Sequence, residues 1–158
     1  NFEKRIKYED PDIRFRDTTF IETFQNFDSN KKIQACKFVE KKDYEKAEKT
    51  FQKAFALSGD VEQLCNRGRA LAALKKYEEA IEVLLESRRI SLAEEDEVDG
   101  EDLELAHSYL GLGDKDNAQK YLDLARDSIL EQGTLNDDIK KEIEEIEKGI
   151  LSLDQFLN

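Results

Sequence analysis

The chain has 158 residues, long enough for one domain with a core of its own. Charged and apolar residues each make up 39%, with one proline and seven glycines, which suits amphipathic helices with wet faces and leaves too few turn residues for a fold of strands and hairpins. The net charge of −12 argues against nucleic acid as a partner, and no apolar run approaches the ~18–20 residues that span a bilayer, so no membrane contact is expected of this fragment.

The first residue is Asn1 and methionine is absent, so what lies upstream is open, and with it the compartment, cytoplasmic or periplasmic. Residues 1–16 carry five basic and four acidic side chains and Pro11, the pattern of an extended or mobile arm. Residues 17–28 read as a helix. Phe20, Phe24 and Phe27 share one face of it and need a surface to pack on, either the helices that follow or a partner chain.

From residue 29 the sequence repeats itself. Ala47/Phe51/Ala54, Ala80/Leu84/Ser87 and Ala118/Leu122/Ala125 each place a small, a large and a small residue at steps of four and three, on one helix face. Each triplet follows a polar turn, and before each turn lies another amphipathic segment: Ala35/Phe38, Gly68/Leu71 and Ala106/Tyr109. The unit is therefore helix–turn–helix. Its period is 33 from Ala47 to Ala80 and 38 from Ala80 to Ala118, the second carrying an insertion. One such unit cannot bury its apolar face alone, so the units are expected to stack.

Catalytic signatures are missing. Gly111-Leu112-Gly113 lacks the Lys-Ser/Thr continuation of a phosphate loop and reads as a helix end with a turn, and the sole histidine is His107, on a repeat helix. No enzyme activity and no cofactor are expected. Glu94–Asp102 holds seven carboxylates in nine positions. With Gly100 as the turn glycine of a calcium loop, the last ligand position would fall on Ala106, which has no oxygen to give, so the run reads as a solvated loop or a docking site for a basic segment. Cys36 and Cys65 read as small reduced fillers of amphipathic helices, a disulfide between them being the alternative. With His107 they would fall on three successive helices about 10 Å apart, too wide for one zinc ion.

Residues 134–158 read as one long helix, capped by Thr134 or Asn136. Ile139, Ile143, Ile146, Ile150, Leu153 and Leu157 follow steps of 4, 3, 4, 3, 4, and Lys140, Lys141, Glu142 and Glu145 form its solvated face. The stripe covers the last unit as a cap, or its distal part seals a homodimer.

The repeats resemble the tetratricopeptide-repeat family. Leu64, Gly68, Leu71, Tyr77, Ala80 and Leu84 stand in the family's register. Ala35, Phe38, Tyr44, Ala47, Phe51 and Ala54 follow it in the preceding unit, and Ala106, Tyr109, Gly113, Ala118, Leu122 and Ala125 in the next, with Lys115 where an aromatic usually sits. The resemblance implies an all-α, right-handed superhelix of three units, about 29–60, 61–93 and 100–131, with a long C-terminal capping helix. It also implies a concave groove lined by the first helix of each unit: Lys32, Cys36, Val39 and Glu40; Glu62, Cys65, Asn66, Arg69, Ala72 and Ala73; Leu103, His107 and Leu110. Some family members clamp a carboxyl-terminal tail with Lys/Arg pairs and Asn. Only Lys32 and Asn66 match that clamp, and Cys36, Leu103 and His107 occupy its other positions, so such a tail is not the expected ligand. The expected function is protein–protein interaction, an adaptor or scaffold that binds a helix or extended peptide. The alternatives are a secretion or assembly chaperone and a structural subunit that dimerises through the C-terminal helix.

Overall fold

The computed structural model describes residues 31–157, with side chains through 155. The arm expected over 1–16 and the helix expected over 17–28 lie outside the described residues. Those residues form seven helices and no strand: α1 (31–40), α2 (Tyr44–Ser58), α3 (Val61–Ala73), α4 (Tyr77–Ala93), α5 (Asp99–Gly111), α6 (Lys115–Gln132) and α7 (Asp137–Leu157). The all-α repeat architecture is the one the sequence implies.

Local chemistry sets most of the helix ends. The carboxylates of Asp43, Asp60 and Asp114 accept from the backbone N–H of Lys46, Glu62 and Asn117 at the starts of α2, α3 and α6. Of the two cap candidates before α7, Asn136 is the one used, accepting from Ile139 N–H at 2.9 Å. Three turns within units share one device. Lys42, Lys75 and Gly113 have φ of 58°, 61° and 76°, and the next N–H reaches back to the carbonyls of Phe38, Leu71 and Tyr109. This closes each first helix with a left-handed residue and a long reverse bond. The positions recur at intervals of 33 and 38, as the alanines do.

The triplets make the core. Ala47, Ala54, Ala80, Leu84, Ser87, Ala118, Leu122 and Ala125 are fully buried, with Phe51 nearly so. The small residues admit large neighbours. A Cβ on Gly68 would lie 2.6 Å from Leu84, one on Gly111 2.4 Å from Tyr77, and one on Gly149 2.5 Å from Leu110. In the third unit Lys115 replaces the equivalent of Tyr77 and instead ion-pairs with Asp154 of α7.

Consecutive helices pack together, and α3 also touches α5, as α5 touches α7. Odd-numbered helices therefore lie side by side along one face, which makes that face the inner wall of a curved array. Ion pairs tie neighbours on the way: Arg67–Glu48 joins α3 to α2 at 2.7 Å, Arg88–Asp102 joins α4 to α5 at 2.7 Å, and Arg126–Glu147 joins α6 to α7.

Two readings made from the sequence change. The acidic run 94–102 is a loop only through Val98. Its last residues start α5, where Glu101 and Asp102 are buried, Glu101 accepting from Ser87 at 2.9 Å and Asp102 from Arg88. Donors on α4 call these carboxylates inward, and burial raises the pKa of Asp102 although Arg88 opposes the shift. Both cysteines are free, but only Cys65 is a buried filler; Cys36 is exposed.

Candidate functional site

The inner wall carries two hollows. The first lies where α1, α2 and α3 meet, a space of about 360 Å³ lined by Cys36, Val39 and Glu40 of α1, Tyr44 and Phe51 of α2, and Asn66, Arg69 and Ala70 of α3. The second, about 370 Å³, lies between α3, α5 and α7. Its lining is Arg69, Ala72 and Ala73 of α3, Glu104, His107 and Leu110 of α5, and Glu142, Glu145 and Ile146 of α7. Arg69 borders both, so they form one track across the odd helices.

Nine of the residues expected in the groove line this track: Cys36, Val39, Glu40, Asn66, Arg69, Ala72, Ala73, His107 and Leu110. Four lie elsewhere. Lys32 and Glu62 pair with each other from α1 to α3 at 3.3 Å. Cys65 and Leu103 sit in the core at 7% and 6% exposure. Burial pushes the Cys65 thiol up to about 12, so it stays protonated and unreactive near neutral pH.

The electrostatics centre on Arg69. Its Nε donates to Glu104 Oε1 at 3.1 Å and its Nη1 to Asn66 Oδ1 at 3.3 Å. Burial raises the Glu104 pKa; Arg69 opposes that and Glu142 adds to it. Three carboxylates therefore share the second hollow with a single guanidinium that is already engaged. The floor is apolar: Ala72 and Ile146 are buried and Leu110 packs beneath Gly149.

The sequence reading left Glu142 and Glu145 on a solvated face; Glu145 is exposed and Glu142 half-buried, and both also wall the second hollow. The register contains the signal that places them. α3, α5 and α7 begin at residues 61, 99 and 137, two intervals of 38. Adding 38 twice carries Asn66 to Glu104 and Glu142, and Arg69 to His107 and Glu145. α7 thus stands where the first helix of a fourth unit would stand. Tyr44 and Phe51, from a second helix, carry no comparable signal, because their large rings serve the core pattern equally well.

Comparison with known proteins agrees with the fold. A tetratricopeptide-repeat family model matches residues 62–91 and 103–125, which span α3–α4 and α5 into α6. Among curated proteins none matches the sequence. In structure the chain is similar to the TPR2AB-domain:pHSP90-complex of yeast Sti1, with a TM-score of 0.69 over 82% of this chain at 20% identity. The chain spans 50% of that neighbour's length. With the repeat model matched twice in tandem and the same superhelix in a solved neighbour, residues 62–91 and 103–125 are tetratricopeptide repeats, and the fold is that of a tetratricopeptide-repeat superhelix.

Proposed function

We propose that the chain is an adaptor or scaffold that holds a segment of another protein, helical or extended, in the track formed by α1, α3, α5 and α7. The observation that supports it most is the sharing of Arg69 by two adjoining hollows, which makes a continuous concave surface out of helices fixed by the core. A surface already in its bound shape costs little ordering when a segment settles on it. Exposed Ala73 and buried Ala72, both without long side chains, let a partner's backbone approach. The similar yeast Sti1 domain was solved as a pHSP90 complex; the track here lacks most of a carboxylate clamp, and a partner of different chemistry suits it better.

Ala73→Arg tests the reading, because it fills the track from an exposed helix position and removes no contact. Binding of the native partner should fall at least tenfold with the melting temperature unchanged, and a photo-crosslinker at Ala73 should capture that partner while one at exposed Leu130 on α6 does not. Equal capture from both positions, or full binding by Ala73→Arg, would overturn it.

A further inference from the structure

The two hollows differ in character. The first is lined mainly by uncharged groups, whereas the second sets an apolar floor of Ala72, Leu110 and Ile146 under a rim of Glu104, Glu142 and Glu145. Glu104 is held by Arg69. Among the described residues no ion pair or hydrogen bond engages Glu142 or Glu145, and the two stand one helical turn apart at the rim, half-buried and exposed.

We propose that the hollow between α3, α5 and α7 receives a lysine or arginine side chain of the bound segment, with its stem on Ala72, Leu110 and Ile146 and its charged head at Glu142 and Glu145. This deepens the groove reading and rests on it. Long basic side chains lay their methylenes along apolar surface and keep the head in a polar setting, and this hollow offers both in that order. A cation there also offsets the repulsion that Glu142 exerts on half-buried Glu104, which the engaged Arg69 only partly relieves. The acidic loop at Glu94–Val98 has charge of the same sign but is exposed along most of its length and has no comparable apolar floor, so it attracts basic chains without seating one.

The test uses a phage-displayed library of random twelve-residue peptides selected on the full chain. Peptides whose binding Ala73→Arg blocks should carry at least one Lys or Arg. Glu142→Gln with Glu145→Gln should weaken them at least tenfold, with the melting curve retained. Replacing the basic residue of the peptide by Gln should cost as much on the parent chain and add nothing on the double variant, the mark of a direct pair. Glu145→Gln alone, at an exposed position, serves if the double variant is unstable. Peptides blocked by Ala73→Arg but without basic residues, or indifferent to Glu142 and Glu145, would overturn this inference and leave the groove standing. A library that yields no peptide blocked by Ala73→Arg would overturn both.

Discussion

At the scale of single residues, the turns show where the repeat is imperfect. Lys75 adopts φ 61° where the third unit has Gly113, and Lys76 precedes α4 without a side-chain cap where the equivalent residues Asp43 and Asp114 each provide one. A left-handed conformation costs a residue with a Cβ roughly 1–2 kcal/mol, part of which glycine returns as chain entropy, and a missing cap costs typically ~1 kcal/mol. Lys75→Gly and Lys76→Asp should therefore each raise stability by about 0.5–1 kcal/mol, and chemical denaturation would show this as a higher midpoint at constant slope. The alignment at 33 and 38 makes both positions legible in the sequence. What was not legible is Asp102: its charge and its place in a carboxylate run pointed to solvent, and only the packing of α5 on α4 puts Arg88 within 2.7 Å of it.

At the scale of elements, α7 shows how far a pattern reaches. Its apolar stripe was readable as a cap, and Ile143, Ile146 and Ile150 are indeed buried against the preceding helices. The stripe alone did not say that the flank beside it would wall a hollow. That depends on α7 lying beside α5 as α5 lies beside α3, a relation between helices far apart in sequence. Ile146 serves both tasks, as core and as floor. Ile146→Ala should cost ~2–5 kcal/mol by the lost transfer energy and the cavity left behind. Urea denaturation would measure the cost, and Ile146→Val should lose far less.

At the scale of the whole molecule, the core is divided unequally. Among the described residues one cluster runs from Cys65 to Ile150, whereas the first unit is held by Ala35, Ala47, Phe51 and Ala70, with Phe38 against them. In an array whose parts contact only near neighbours, the unit with the smaller core opens first. Amide hydrogen exchange should be faster in α1 and α2 than in α3 through α7. Phe51→Ala should widen that gap by releasing the first unit while the rest keeps its protection.

The pairs Lys32–Glu62 and Arg69–Glu104 cross from one odd helix to the next along the inner face. They span the curvature as tie rods span an arch, and part-exposed ties of this kind slacken as ionic strength rises. The coil's pitch is thus coupled to its solvent: small-angle scattering in concentrated salt should find a longer, more open molecule whose helix content has not changed.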